Sequence, residues 1–476
     1  MRILITLLLL AVSFLPVRST LADAEQLNFV VVLVDDLGWT DLSCFGSDFY
    51  ETPHIDRLAA KGMKFTDAYA ACAVCSPTRA AVLTGRYPAR VGITDWIRAR
   101  FQGGAIPADG KNPSGYVGGP KNAVLCPRNP LWLEHEEVTI AEMLGAAGYV
   151  SCHIGKWHLG PDDWYPEHQG FDFNFGGCDY GQPPSYFDPY TNKRLKQGIP
   201  TLEPREPGQY LSDREGEEAE AFLRQHKDKP FFLYLANYAV HTPIQAKADV
   251  AAKYAAKPKT NQSNSRYAAM VESVDDCVGK VLKTLDELQI ADRTVVIFTS
   301  DNGGLLGPTH NAPLRLGKGH PHEGGIRVPL IIRWPNAVKA GSVSREPVIS
   351  VDYLPTIAEA AGLKLPDREL DGQSLVTHLK SAGQTPLSRE AIYWHFPHYR
   401  GAIFPYSIVR AGDWKLIKRY AGKEYELYNL TQDISESFDL TQQRPDKVKE
   451  LDARLTSWLE NVHAKVPRPN PDYRAR

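Results

Sequence analysis

Leu27 to Val34 is an apolar run, the pattern of a strand buried on both faces. Similar runs at Tyr149 to Ile154, Pro230 to Ala239, Thr294 to Thr299 and Val328 to Trp334 predict further strands. Thr52 to Lys64, Ile140 to Ala147 and the long amphipathic stretch Ser265 to Leu288 predict helices between them. Alternation of this kind implies an α/β fold, with a large and mainly parallel sheet sandwiched by helices. The pattern changes near residue 386. Tyr406 to Tyr420, with a turn at Asp413, and Glu424 to Leu430 read as antiparallel strands, and Lys447 to Val462 as a closing helix. A large domain over residues 25–385 and a small α+β subdomain over residues 386–476 are expected. Residues 97–135 and 160–210 are irregular and rich in Gly, Pro and Tyr; loops of that length in a compact domain are usually functional.

The first residues break the scheme. Arg2 precedes an apolar run from Ile3 to Pro16, and Ala22-Asp23-Ala24 offers small residues for cleavage. This reads as a secretory signal over residues 1–24, and the run is short for a membrane-spanning helix. Export to the periplasm or outside the cell, without a stable membrane anchor, is expected. The rest is ordinary for a globular protein: 43% hydrophobic, 23% charged, formal net charge −2. That balance, with no basic tail, gives no footing for nucleic-acid binding, so an anionic partner must be met by a local cluster of cations. Seven cysteines are present, and outside the cytoplasm they are free to pair, but no spacing among them is convincing for zinc.

Candidate chemistry begins at Asp35-Asp36, where the first strand ends. Ligands of open α/β sheets bind at the carboxyl ends of strands, and adjacent carboxylates repel unless a cation lies between them. An isolated Asp-Asp pair also suits a turn or a helix cap. A second strand end, Asp301-Asn302-Gly303-Gly304, again supplies hard oxygen donors, with glycines that admit close backbone approach. Oxygen-only ligation favours calcium or magnesium over zinc.

The segment Cys75-Ser76-Pro77-Thr78-Arg79, followed by Thr84-Gly85-Arg86, places Cys75 at a helix N-terminus, with Pro77 in the first turn. Arg79 lies one turn on, on the same side. The segment resembles the signature C-x-P-S/T-R…T-G-R of the type I sulfatases, within the alkaline phosphatase superfamily. Gly148 to His158, ending Gly155-Lys156-Trp157-His158, matches that family's second signature. His241-Thr242-Pro243, Gly317-Lys318-Gly319 and Glu323-Gly324-Gly325-Ile326-Arg327-Val328-Pro329 follow in family order. One stretch departs: where related arylsulfatases carry Ser-His, this chain has Gly176-Gly177-Cys178-Asp179-Tyr180-Gly181.

The resemblance implies an alkaline phosphatase-like fold and hydrolysis of sulfate esters. It implies a formylglycine made from Cys75 by a maturation enzyme, and one Ca2+ held by Asp35, Asp36, Asp301, Asn302 and the modified Cys75. In such a mechanism the hydrated aldehyde attacks sulfur and forms a covalent sulfate-enzyme intermediate. Arg79, Lys156 and Lys318 neutralise the sulfate oxygens. His241 and Lys318 protonate the leaving alcohol, and His158 takes the proton that lets sulfate depart. The expected substrate is a sulfated carbohydrate or an aryl sulfate. His395, His398 and Arg400, beside Trp394 and Tyr399, offer groups that bind a sugar or a second anion, or equally pack between domains. Two other readings are a formylglycine-dependent phosphonate or phosphate ester hydrolase and a non-catalytic carbohydrate-binding relative. A two-zinc phosphatase would want a Ser or Thr nucleophile and more histidine ligands, and a binding relative would have lost part of the constellation.

Overall fold

Alternate residues of β1 (Asn28–Val34) enter two different cores, which is why its sequence is apolar rather than alternating. Val30, Val32 and Val34 pack on one side, and Phe29, Val31 and Leu33 on the other. The computed structural model describes residues 26–474; the signal segment expected over residues 1–24 lies outside them. With β1 in one sheet are β2 (Met63–Phe65), β3 (Val150–Gly155), β4 (Phe173–Phe175), β5 (Phe231–Ala236), β6 (Thr294–Ser300), β7 (Leu330–Arg333) and β8 (Ser342–Ser344), in the order β8-β2-β7-β6-β1-β5-β3-β4. Only β7 runs against its neighbours. The mixed, mainly parallel sheet between helices is the architecture expected.

α1 (Pro53–Lys61), α3 (Leu211–His226) and α4 (Ser265–Glu287) cover one face, and α2 (Cys75–Thr84) and α5 (Tyr353–Ala360) the other. The helix expected over Thr52 to Lys64 ends at Lys61. Gly62 turns the chain into β2, and any side chain there would collide with the carbonyl of Ile332. α3 was not anticipated: its apolar stripe is narrow, and Arg214, Glu215 and Glu218 are buried along it.

A second sheet holds β9 (Ile392–Phe396), β10 (Tyr406–Ala411), β11 (Trp414–Arg419) and β12 (Tyr425–Asn429), all antiparallel, with α6 (Pro445–Asn461) against it. A third core joins this sheet to Cys72, Ala73 and Val74. The C-terminal sheet therefore backs the segment that delivers Cys75.

Candidate active site

β1 and β6 pair in parallel with Val34 opposite Ser300, so both chains leave the sheet side by side. Asp35 and Asp36 follow one strand, Asp301 and Asn302 the other, and all four are buried. Asp36 turns through the left-handed region (φ 62°), and its amide donates to Asp301 Oδ1 at 3.2 Å. Asp35 Oδ1, Asp36 Oδ2 and Asn302 Oδ1 are buried with no donor to meet them. Unsatisfied buried acceptors are costly, so three in one place form an oxygen donor set suited to a hard cation. The residues present fit calcium on this ground. Burial pushes the Asp35 carboxyl well up, with Asp301 and Asp36 adding to the effect and Lys156 opposing it. Burial acts the same way on Asp36, but Lys318, His241 and Lys156 outweigh it and hold that carboxyl below the usual range. A cation would relieve the repulsion between these neighbours.

Three cations brace the carboxylates. Arg79 donates from Nε to Asp301 Oδ2 at 2.9 Å and from Nη1 to the Lys156 carbonyl at 2.7 Å. Lys156 Nζ donates to Asp35 Oδ2 at 2.7 Å, and Lys318 Nζ to Asp36 Oδ1 at 2.5 Å. Lys318 belongs to a loop tied down by its own amide to Gly304 and by the Gly319 amide to the carbonyl of Ala73.

Cys75 is the first residue of α2, and all ten residues of that helix are buried. The Ser76 hydroxyl donates to the His158 carbonyl at 2.9 Å and accepts from the Ile97 amide at 3.0 Å. This small residue, not singled out from sequence, locks the nucleophile helix to the histidine loop.

The two histidines are held differently. His158 has φ 62°, and its Nε2 lies 2.7 Å from the Ile97 carbonyl. A carbonyl only accepts, so Nε2 carries the proton, and Nδ1, buried and without a partner, is the basic nitrogen. Burial and then Lys156 hold its pKa well below the usual histidine value. His241 places Nδ1 2.9 Å from the Thr242 carbonyl and Nε2 3.6 Å from Asp36 Oδ2. Burial and Lys318 push its pKa down to about 3, against the pull of Asp36.

Cys75, His158, His241, Lys318 and Arg400 line one cavity of about 160 Å³, with Trp96, Gln102, Gly181 and Gln182 completing it. The last four lie in or beside the irregular segments, which is the signal that could have found them. Gly181 belongs to the departing stretch; a Cβ there would come within 2.8 Å of His158 Nε2. Of the C-terminal group only Arg400 reaches this cavity. His395 is buried in β9, with Nδ1 2.7 Å from the Ser407 hydroxyl and Nε2 3.3 Å from the Lys465 carbonyl. His398 Nε2 lies 2.8 Å from the Thr94 hydroxyl and borders a separate cavity. None of the seven cysteines is joined to another in a disulfide.

A family model described as Sulfatase matches residues 27–363, and one described as N-sulphoglucosamine sulphohydrolase, C-terminal, matches residues 316–465. A "Sulfatase" of Formosa agariphila is 33% identical over 95% of this chain and 94% of its own length. Human N-acetylgalactosamine-6-sulfatase is 37% identical over 74% of this chain and 65% of its own. Among solved structures, Ps i-CgsB in complex with k-i-k-neocarrahexaose superposes with a TM-score of 0.76 at 31% identity, covering 91% of this chain and 93% of that one.

Proposed function

The chain belongs to the sulfatase family and hydrolyses sulfuric esters, and from that premise we propose that its substrate is a sulfated carbohydrate and its nucleophile a formylglycine made from Cys75. The observation that carries this reading is the meeting of three unpartnered acceptor oxygens, a helix N-terminus bearing Cys75, and a small cavity lined by two histidines and a lysine. The relatives named for N-acetylgalactosamine-6-sulfate and the neighbour bound to an oligosaccharide support a sugar substrate.

Formylglycine would supply a hydrated aldehyde as nucleophile, and one Ca2+, held by Asp35, Asp36, Asp301, Asn302 and the modified Cys75, would neutralise charge at the ester. The chain's own residues do the rest. Lys318 lines the cavity and binds a sulfate oxygen. Arg79 and Lys156 fix Asp301 and Asp35 and add positive charge where the ester bond breaks. His158 Nδ1 accepts the proton whose loss frees sulfate. His241, neutral until an anionic ester arrives, takes up a proton from solvent on Nε2 as that charge raises its basicity, and passes it to the departing alcohol, assisted by Lys318. Export through residues 1–24, to the periplasm or outside the cell, and maturation of Cys75 by a second enzyme belong to the same reading.

The test is a panel of sulfated mono- and oligosaccharides with sulfate release measured, together with mass spectrometry of the tryptic peptide that contains Cys75. Aldehyde or its hydrate in active protein is expected. Thiol alone in fully active protein overturns the nucleophile, and release from no sulfated sugar overturns the substrate class.

A further inference from the structure

The active-site cavity, at about 160 Å³, lies below the range of roughly 300–1,000 Å³ usual for a site that engulfs its ligand. A second cavity, of about 530 Å³, adjoins it. The wall between them is built twice over from chain neighbours. On one segment Trp96 lines the first cavity, while Asp95 and Arg98 line the second. On another, Arg400 lines the first, while His398 and Tyr399 line the second. Together the two spaces fall within the usual range.

The chemistry of the larger space is specific. Arg98 and Arg128 are both exposed in it, and neither has a carboxylate within ion-pair distance among the described residues. The Arg98 guanidinium lies over the Trp96 ring, 5.1 Å from its centre, on the wall between the cavities. Such a fork, seated against a ring and with no carboxylate in ion-pair contact among the described residues, is suited to bidentate recognition of sulfate or carboxylate. Among the described residues the Asp95 carboxylate accepts only from the Trp96 amide, on Oδ1, which leaves Oδ2 open to a hydroxyl donor.

We propose that this cavity is a second subsite, which takes the sugar unit next to the one losing its sulfate, and that Arg98 and Arg128 select a unit bearing its own anionic group. The inference rests on the carbohydrate reading above and extends it: the substrate is a polyanionic oligosaccharide rather than an isolated sulfated sugar. Asp95 accepts a hydroxyl of the same unit, and Trp96 forms the step between the two.

The experiment compares the unaltered enzyme with R98A/R128A on a small aryl sulfate and on sulfated oligosaccharides whose neighbouring unit carries a sulfate, a carboxylate or no charge. The ratio of kcat/KM for the charged oligosaccharides to that for the aryl sulfate should fall about tenfold or more, with the uncharged oligosaccharide unaffected in that ratio. Whether sulfate or carboxylate responds more identifies the anion. A ratio that does not move, or that falls equally for the uncharged oligosaccharide, overturns the proposal. A second measurement needs no turnover: in the Cys75→Ala background, calorimetric titration with an anionic oligosaccharide lacking the scissile ester should show about tenfold weaker binding once the two arginines are removed. Equal affinities overturn the subsite. An unaltered enzyme that releases no sulfate from any sugar overturns the carbohydrate reading instead, and the titration still decides what the cavity binds.

Discussion

Two buried clusters in this protein have the same formal composition and opposite characters. At the strand ends, Asp35, Asp36 and Asp301 meet Arg79, Lys156 and Lys318. Between the main body and the C-terminal sheet, Glu323, Glu436 and Asp67 meet Lys415, Arg327 and Arg410. Each sets three carboxylates against three cations. In the second cluster every charged group finds an opposite charge within 2.9 Å, and Tyr69 closes the ring by donating to Glu323 at 2.7 Å. Even Glu436 Oε1, which has no aligned hydrogen bond, is met by Lys415 at 2.8 Å. In the first cluster Asp35 Oδ1 and Asp36 Oδ2 accept no hydrogen bond among the described residues; Arg79 Nη2 stands 3.8 Å from the one and His241 Nε2 3.6 Å from the other. Charge balance therefore does not distinguish a site from a brace; acceptor oxygens left unmet beside a cavity-lining histidine do.

Substitutions in each cluster should separate activity from stability. Cys75→Ala should remove sulfate release, by about 10⁴-fold or more, with no change in the thermal midpoint. A large loss of stability would show that the helix N-terminus is structural instead. Asp301→Ala should take the cation and several kcal/mol of transition-state stabilisation with it, about 10³-fold in turnover, read by elemental analysis and kinetics on the same sample. Retained calcium at one per chain would break the assignment of the strand ends. Lys415→Ala leaves buried carboxylates uncompensated and should cost about 3–5 kcal/mol in chemical denaturation. The fraction that stays folded should turn over nearly as before, and a loss confined to kcat would erase the contrast between the clusters. His241→Ala should slow esters of sugar alcohols by about 10²-fold and activated aryl sulfates much less. His158→Ala should instead slow both alike and let sulfated protein accumulate, visible as added mass. Equal damage to both substrates in His241→Ala, with the adduct there, reverses the two roles.

Much of the first cluster was legible because its parts sit where strands end. Asp35-Asp36 and Asp301-Asn302 follow buried apolar runs, and the pairing of β1 with β6 does the rest. Lys156 and His158 lie two residues apart just after a strand, a spacing at which strand alternation would turn both to one site. The chain instead leaves β3 at Gly155; Lys156 turns to Asp35, and the left-handed turn at His158 brings its ring to the cavity wall. The second cluster was not legible, since Glu323, Lys415 and Glu436 lie far apart in sequence and only the docking of two sheets joins them. The same docking hides the aromatic and histidine group of β9: both faces of that strand are covered, so Trp394 donates to the Ala70 carbonyl and His395 turns to Ser407. Composition alone cannot tell such a packed strand from an exposed sugar platform.

The burial of α2 also sets a clock. Cys75 is only 4% exposed, and its helix is buried along its whole length, in part by segments made much later, α5 among them. Arg79, one turn away, is held by Asp301, which follows it by 222 residues. At a synthesis rate of roughly 5–20 residues per second, that carboxylate emerges about 10–45 seconds after the cysteine segment. Any macromolecule that alters Cys75 works on a chain still open, within that interval or before folding closes over it, and a finished molecule that missed the moment keeps its thiol.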